Sequence, residues 1–490
     1  MNLAAASFND INDAVQSATT GYIAQGAALC DLIQNKLNDV IIAMDGDRFS
    51  GDEKDLVVFN PANIDGQLPS NAETSRSNLE PQNRVQAYST NYFAKVWLYR
   101  NSRLPPHLPP LKIYMPTWPL LCLAAQYSER VYTRPEGDER DTHVAADWRL
   151  GTKAMVLKSV PVDDMNTIVL AIRGSQGILD WTVNFRPAPA SPAGFLDDPG
   201  NLCHSGFLHV ARAMLAPVAA RLEALLATHP HLTRRGARAP ALLLTGHSAG
   251  GAVAQLLFAH LFAAADGPHG VSSPLRRLRH RFKRVHCVTF GAPPVSLLPL
   301  RPPGAGAGPD AVAAYDARGD KNLFFALVNE GDPVVRADPA VVRSLLRLYS
   351  SPAPAAQPGQ GHGKASRLKP AKQLRRRDHQ KAASWPAGQD QGQHGRGAGA
   401  GGGSGGIPPE WPVPESALSL GGRVVLLRGR VNRRGGSGGG GGKAEDVSIN
   451  QVSDEMLRGV VFGDPMCHMM RLYAERVRRL AVQAVTAGEG

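Results

Sequence analysis

The chain has few cysteines, and they are widely separated. Five occur among 490 residues, and no two form a C-x-x-C pair. They stand at Cys30, Cys122, Cys203, Cys287 and Cys467. This spacing argues against a disulfide framework and against a cysteine-based zinc site. We therefore expect a protein of a reducing compartment without a cysteine-based zinc site, and we predict no cofactor.

Signal-like and membrane-spanning segments are also missing from the sequence. Residues 1–10 have neither a basic start nor a long apolar core, so they do not predict a secretory signal. No run of about 18 uncharged apolar residues occurs, so no transmembrane segment is predicted. These absences favour a cytoplasmic, intracellular location, either free or peripheral to membranes or lipid droplets.

Acidic residues are outnumbered by basic ones, which gives a net charge of +12. Much of the excess lies in two clusters, at residues 276–284 and 364–381. Such clusters are most simply a solvated face and a disordered tract, although they also suit anionic lipid head groups or nucleic acid. No aromatic interleaving or nucleic-acid motif accompanies them. We therefore expect no nucleic-acid partner and keep contact with an anionic membrane surface as an open alternative.

Composition divides the chain into three kinds of region. Residues 1–110 predict an N-terminal extension of helix and loop, whose role the sequence does not reveal. Residues 111–350 and 416–490 have the pattern of one folded domain. The stretch 351–415 is basic and glycine-rich, and 432–446 is a second, shorter glycine-rich stretch. Because such tracts bury little apolar surface, we interpret both as disordered insertions within the domain.

Strand and helix patterns alternate from about residue 144 onward. The predicted strands are 154–160, 167–172, 242–245, 285–290, 323–329 and 423–427. The predicted helices are 7–43, 117–130, 206–226, 252–265 and 453–485. This alternation predicts an α/β fold, with a mainly parallel central sheet and helices on both faces.

The stretch 241–251 combines a short apolar strand, a Gly-x-Ser-x-Gly turn and the start of an apolar helix. That context predicts a nucleophile elbow with Ser248 at its tip. The Ala249 amide, at the start of the helix, would face the negative charge that develops on an attacked carbonyl. The alternative is a glycine-rich turn with an idle serine.

A serine nucleophile needs a histidine base and a carboxylate that orients it. In α/β-hydrolases these follow the serine in the order acid, then histidine. His468 is the predicted base, because the other histidines that follow Ser248 and the next two predicted strands lie in the glycine-rich stretch 351–415. The alternative is a core histidine at a helix start. Asp332 follows the strand 323–329 and is the preferred acid, with Glu330 as the nearest rival. Asp316, Asp320 and Asp338 are less well placed.

A second oxyanion donor is expected at the end of strand 167–172. Gly174 allows close approach of the backbone, and Ser175 offers both an amide and a hydroxyl. An apolar segment follows, with Ile178, Leu179, Trp181 and Val183. We interpret it as a lid that opens at a lipid surface; an ordinary buried turn is the alternative.

Six motifs in this order resemble the class 3 (fungal triacylglycerol) lipase family. They are Arg173-Gly174-Ser175 with Asp180-Trp181, His204-Ser205-Gly206-Phe207, Gly246 to Gly251, Thr289 to Pro293, Asp332-Pro333-Val334, and His468. The resemblance covers roughly 115–335 and 420–475, and it is nearest to large intracellular relatives such as diacylglycerol lipases. The family often has Leu where this chain has Ala249, and compact members lack the long tract before His468.

The resemblance implies an α/β-hydrolase fold, no metal, and hydrolysis of acylglycerol or phospholipid esters. It also implies Ser248 as nucleophile, Asp332 as orienting acid and His468 as base, with Ser175 and Ala249 as the oxyanion hole. Two other functions stay open. One is a non-catalytic lipase-like scaffold that binds membranes or partners. The other is a soluble carboxylesterase without interfacial activation.

Overall fold

A computed structural model provides the structure of the chain. It describes residues 27–45, 48–59, 89–133, 143–144, 153, 155–160, 166–174, 189–198, 200–228, 239–266, 268–300, 322–354, 408–431 and 445–487. Contacts within the chain define one unit of Met1–Ala353 with Glu410–Gly490 and a second of Pro354–Pro409. All the elements given below lie in the first unit.

The described strands are between two and nine residues long. In chain order they are β1 (Val58–Phe59), β2 (Ser89–Thr90), β3 (His143–Val144), β4 (Met155–Val160), β5 (Thr167–Ile172), β6 (Pro189–Ala190), β7 (Cys203–His204), β8 (Ala241–His247), β9 (Arg284–Phe290), β10 (Phe324–Asn329), β11 (Arg423–Val431) and β12 (Glu445–Gln451).

The helices vary from one turn to more than six. They are α1 (27–45), α2 (Trp118–Arg130), α3 (Ser205–Thr228), α4 (Ser248–Phe262), α5 (Pro274–Arg277), α6 (Pro339–Ser350), α7 (Asp454–Arg458) and α8 (Met470–Ala487). Single 3₁₀ turns or short 3₁₀ helices occupy Glu53–Leu56, Tyr92–Leu98, Arg100–Ser102, Met115–Thr117, Leu278–Arg281, Val334–Arg336 and Pro465–His468.

Among the described residues, eight strands form the central sheet, in the order β12-β11-β10-β9-β8-β5-β4-β3. The five strands from β11 to β5 run parallel. The pairs β11–β12, β5–β4 and β4–β3 are antiparallel. The predicted mainly parallel α/β sheet is thereby confirmed.

The central strands are mostly apolar and almost wholly buried, as is typical of parallel strands with both faces of the sheet covered. Successive side chains of β5 and β8 alternate between the two faces. Ile168, Leu170 and Leu244 pack in the cluster that contains helices α3 and α4. Val169 and Leu243 pack in the cluster that contains α2 and α8. Helices therefore cover both faces, as the alternating pattern predicts.

A third apolar cluster joins the N-terminal helix to the rest of the described domain. Helix α1 contributes Ile33, Leu37, Val40 and Ile41, which pack with the Tyr92–Leu98 segment and with helix α6. Residues 7–26 of the predicted helix lie outside the described part of the chain. Helix α1 is therefore built into an extensive apolar core.

Two predicted boundaries differ from the observed elements. Trp411 contacts Tyr99 at a ring-centroid distance of 5.3 Å, so the described end of the 351–415 stretch is packed on the domain. Glu445 and Asp446 belong to β12, inside the range 432–446. Strand β12 was not predicted, because its polar residues alternate with few apolar ones at the sheet edge.

The five cysteines are all free. Among the described residues, no helix combines the length and apolar character that a membrane crossing requires.

Candidate active site

Ser248 lies at the junction of strand β8 and helix α4, where the chain turns sharply. Its φ is 55°, a left-handed value that a non-glycine residue rarely adopts. A Cβ at Gly250 would lie 2.1 Å from the Ile172 carbonyl oxygen. One at Gly246 would lie 2.7 Å from the Gly250 carbonyl carbon. Gly250 therefore lets the turn pack against β5, and Gly246 lets the turn close on the start of α4, where Ala249 is fully buried.

Asp332 lies in the turn after β10, and its carboxylate is fully buried. Its Oδ1 accepts the Val334 backbone N–H at 2.8 Å. Its Oδ2 accepts the Tyr473 hydroxyl at 2.7 Å. These donors fix the carboxylate beyond the C-terminal end of the parallel strand, where α/β folds hold their reactive groups.

The rival acids have other partners. Glu330 forms a buried ion pair with Arg428, with Oε1 and Nη2 2.7 Å apart. Asp338 accepts the Ala340 N–H at the start of helix α6. Asp316 and Asp320 lie outside the described residues. Of the described candidates, Asp332 is the one that contacts His468.

His468 ends the 3₁₀ helix Pro465–His468 and is fully buried. Its Nδ1 lies 3.0 Å from Asp332 Oδ2 and 3.1 Å from Oδ1. This contact fixes the orientation of the imidazole ring. It also requires a proton on Nδ1, because the ionised carboxylate can only accept a hydrogen bond. Its Nε2 points away from Asp332 and is the nitrogen available for proton transfer.

His247 holds the backbone of His468. Its Nε2 donates to the His468 carbonyl at 2.7 Å. Its Nδ1 therefore accepts the Tyr132 hydroxyl, at 3.1 Å. Burial, and next the neighbouring His468, lower the pKa of His247 to about 4. This ring stays neutral and acts as a support rather than as a base.

Asp45, the last residue of helix α1, also lies in this site. Ser248 Oγ donates to Asp45 Oδ2 at 3.0 Å. His468 Nε2 lies 3.3 Å from Asp45 Oδ1. No sequence pattern predicts this position, because Asp45 only follows an apolar helical run and belongs to no motif. Its approach to Ser248 depends on how helix α1 docks.

The residues predicted to form the second oxyanion donor and the lid lie outside the described part of the chain. Ser175, Ile178, Leu179, Trp181 and Val183 are not among the described residues. Gly174 is described, and its N–H donates to the Tyr132 hydroxyl at 3.1 Å. That amide is therefore engaged, so a second oxyanion donor would have to come from another residue.

One group of described residues has the donor types of a metal site. Ligand atoms of Asp45, His247 and His468 lie within 4.8 Å of one another. The Nδ1 of His247 and the Nε2 of His468 face Asp45. Two of these ligand atoms are already used, because Tyr132 donates to His247 Nδ1 and Ser248 contacts the Asp45 carboxylate.

Comparison with known proteins finds a family match and similar folds of low identity. Residues 169–341 match the family described as lipase (class 3). No match was found among curated proteins. Solved structures with some similarity include the Rhizomucor miehei lipase propeptide complex, at 20% identity and a TM-score of 0.28, covering 49% of this chain and 74% of that one.

Two further structures give similar values. A triacylglycerol lipase from Penicillium expansum is 17% identical, with a TM-score of 0.31, covering 47% of this chain and 77% of its own. A lipase from Rhizopus microsporus var. chinensis is 16% identical, with a TM-score of 0.30. The match covers 48% of this chain and 77% of that one.

The family match extends from β5 into helix α6 and includes Ser248 and Asp332, whereas His468 lies beyond it. The resemblance seen in the sequence motifs is confirmed over this range. Residues 169–341 are therefore identified as a class 3 lipase region, and the match supports a carboxylic ester hydrolase.

Proposed function

We propose that the protein is a serine hydrolase that cleaves carboxylic esters of acylglycerols or related lipids. The observation that carries this proposal is that Ser248 Oγ and His468 Nε2 lie against the same carboxylate, that of Asp45. Asp332 lies on the other side of the His468 ring, against Nδ1. The three residues come from different parts of the chain and follow in the order expected of an α/β-hydrolase. The class 3 lipase match supports a lipid ester as the substrate.

In the proposed reaction, Ser248 attacks the ester carbonyl while His468 Nε2 takes the hydroxyl proton. Asp332 stabilises the imidazolium that forms. The Ala249 amide, with Ser175 as the proposed second donor, stabilises the oxyanion. His468 then protonates the leaving alcohol. Water, deprotonated by the same nitrogen, cleaves the acyl-enzyme and releases the fatty acid.

The test is Ser248→Ala, which removes the nucleophile. We expect loss of turnover of a short-chain nitrophenyl ester by roughly 10³-fold or more, and loss of labelling by a fluorophosphonate probe. Ser128→Ala is a matched control, because Ser128 is equally buried and contacts Thr245 in the same core. Full esterase activity in Ser248→Ala would exclude the proposal. A wild-type protein that neither turns over the ester nor reacts with the probe would favour a non-catalytic scaffold.

The substrate class needs a panel of mono-, di- and triacylglycerols and phospholipids. A rise in rate above the solubility limit of the substrate would favour a lipase. An unchanged rate there would favour a soluble carboxylesterase without a lid.

We also propose a peripheral contact with anionic membranes or lipid droplets. Arg277, Arg281 and Lys283 are exposed, while Leu275 and Phe282 bury their side chains and fix the segment to the domain. Exposed basic residues close together are attracted to anionic head groups. Charge reversal of these three residues should reduce co-sedimentation with phosphatidylserine vesicles, and it should not affect binding to neutral vesicles.

A further inference from the structure

The groups that would carry out the reaction are closed off from solvent. Ser248 is 1% exposed, and Asp332 and His468 are 0% exposed. Asp45, which contacts both Ser248 and His468, is itself 0% exposed. An ester carbonyl must come within bonding distance of Ser248 Oγ, so the closed arrangement cannot be the one that acts on substrate.

The hydrogen bonds of Asp45 interrupt proton transfer from serine to histidine. Acyl transfer requires the Ser248 proton to pass to His468 Nε2. In the structure that hydroxyl donates instead to Asp45 Oδ2, at 3.0 Å. The second oxygen of the same carboxylate lies 3.3 Å from His468 Nε2, which must carry a proton to bond to it. A protonated Nε2 cannot accept the serine proton.

The charges around His468 favour the same protonated state. Burial opposes the imidazolium, but the carboxylates of Asp332 and Asp45 outweigh it and raise the pKa of His468 to about 10. The other groups that face this ring are neutral. His247, with a ring centroid 4.5 Å away, has a pKa of about 4. Burial raises the pKa of Tyr473 and of Cys467 well above their usual values.

Asp45 is also in an unfavourable place for a carboxylate. It is the last described residue of helix α1, where the negative end of the helix dipole repels an anion. Burying a charge also carries a free-energy cost unless the charge is paired. The structure offsets these costs through Ser248 and His468 and through the apolar face of α1, including Leu37 and Ile41. An unfavourable residue held in place by its contact with a reactive site indicates a function for that contact.

We propose that helix α1 is an autoinhibitory element whose Asp45 carboxylate takes the place of the substrate ester between Ser248 and His468. The active form is the one in which the end of α1 has left the site. This inference rests on the proposed roles of Ser248 and His468. Inhibition and catalysis then compete for the same two atoms, Ser248 Oγ and His468 Nε2.

The direct test is Asp45→Ala in the full chain, compared with Asp39→Asn. Asp39 lies on the same helix but is exposed. We expect Asp45→Ala to raise the rate of fluorophosphonate labelling and kcat/KM for a short-chain ester at pH 7 by at least ~10-fold, because the open state becomes more populated. Asp39→Asn should match the wild type. Equal or slower labelling of a folded Asp45→Ala protein would overturn the proposal.

The pH profile gives a second readout that a purely structural role would not change. With Asp45 in place, activity should rise with pH toward the His468 pKa of about 10. In Asp45→Ala the midpoint should move down toward the ordinary imidazole value of 6.5. Asp45→Asn removes the charge but keeps the bulk, so its midpoint should also fall while its rate rises less. An unchanged midpoint in both variants would contradict the inhibitory role.

A variant distant from the site tests the helix itself. Leu37 is buried in the third apolar cluster, and Leu37→Ala should loosen the docking of α1. Release of an inhibitor predicts faster labelling, whereas loss of a purely structural support predicts slower labelling and would overturn the proposal. Thermal melting checks that each variant is folded.

The double variant Asp45→Ala/Ser248→Ala separates this inference from the proposed function. If the activity gained in Asp45→Ala persists without Ser248, the nucleophile assignment is wrong. If wild-type activity depends on Ser248 but does not respond to Asp45→Ala, only the autoinhibition is wrong. If neither the wild type nor Asp45→Ala labels or turns over ester, both are wrong.

Discussion

At the scale of single residues, Asp332 receives hydrogen bonds from three residues, which lie in three different structural elements. The donors are the Val334 N–H, the Tyr473 hydroxyl and His468 Nδ1. The Tyr473 hydroxyl in turn accepts the Asn329 N–H at 2.8 Å. Tyr473 therefore links helix α8 to the end of β10 and orients the acid for His468.

Replacing Tyr473 by Phe should impair both the acid and the fold. The Asn329 N–H loses its acceptor, which costs about 1–3 kcal/mol of the free energy of unfolding. Asp332 loses a donor, so we expect kcat to fall roughly tenfold with little change in KM. Tyr349→Phe is the matched control, because the hydroxyl of that buried tyrosine donates to the Gly463 carbonyl, away from Asp332. Equal losses of kcat in both variants would contradict a positioning role.

His286 should make stability depend on pH. Burial, and next Arg284, lower its pKa to about 4 from 6.5, and its Nδ1 accepts the Leu323 N–H at 3.0 Å. The unfolded chain therefore binds more protons between these values, so stability is present above pH 6.5 and is lost as pH falls toward 4. The loss is of the order of 3 kcal/mol.

The variant for this prediction is His286→Asn, whose side-chain oxygen can accept the same N–H but does not titrate. Urea unfolding from pH 7 to 4 should give a smaller slope of stability against pH than in the wild type. Parallel curves for the two proteins would show that His286 does not titrate differently on folding.

At the scale of elements, sequence patterns predict what is local. The apolar runs that became β5, β8, β9 and β10 were recognisable because strands covered on both faces need no polar alternation. Helix α6 was missed, although Asp338 caps its start and Pro339 is its first residue. Residues 339–350 were placed in the folded domain 111–350, but no helix was assigned to them.

The same limit applies to the candidate site. Ser248, Asp332 and His468 could be proposed from motif and chain order. Asp45 could not, because nothing in the residues around it records that helix α1 ends against β8 and α4. A contact made only by tertiary docking has no local signature in the sequence.

The turn that carries Asp332 is fixed to its surroundings by a buried ion pair. Arg428 of β11 binds Glu330 through Nε at 2.9 Å and Nη2 at 2.7 Å. It also donates to the carbonyls of Leu104, Pro105 and Pro106. The pair therefore holds the 104–106 segment, β11 and the β10 turn together.

Arg428→Ala should be strongly destabilising, because it leaves the buried Glu330 carboxylate with only the Leu104 N–H and the more distant, exposed Arg103 as partners. We expect a loss of about 3–5 kcal/mol in the free energy of unfolding, measured with urea. Arg478→Ala is the control, since its pair with Glu129 is largely exposed and should contribute about 0–1 kcal/mol. Similar losses in the two variants would exclude a special role for the buried pair.

At the scale of the whole molecule, the chain between Asp332 and His468 must leave and return without separating them. Helix α6 follows Asp332, and Trp411 Nε1 donates to Ser344 Oγ of that helix at 2.9 Å. Asn101 accepts the Trp411 N–H at 3.0 Å and donates to the Trp411 carbonyl at 2.8 Å. The chain that returns at residue 411 is therefore anchored beside the helix from which it departs.

This anchoring predicts that residues 355–407 can be replaced by a short Gly-Ser linker. The entropy of closing a loop changes by only about 0.6 kcal/mol for each twofold change in its length, so the contact between His468 and Asp332 should persist. We expect Ser248 labelling and short-ester turnover within about twofold of the wild type, because the partners described above for Ser248, Asp332 and His468 all lie outside the replaced residues. A matched variant, Trp411→Ala, keeps the full length but removes the anchor, and it should lower the melting temperature more than the replacement does. Loss of labelling in the linker variant alone would instead assign the tract a direct role in catalysis.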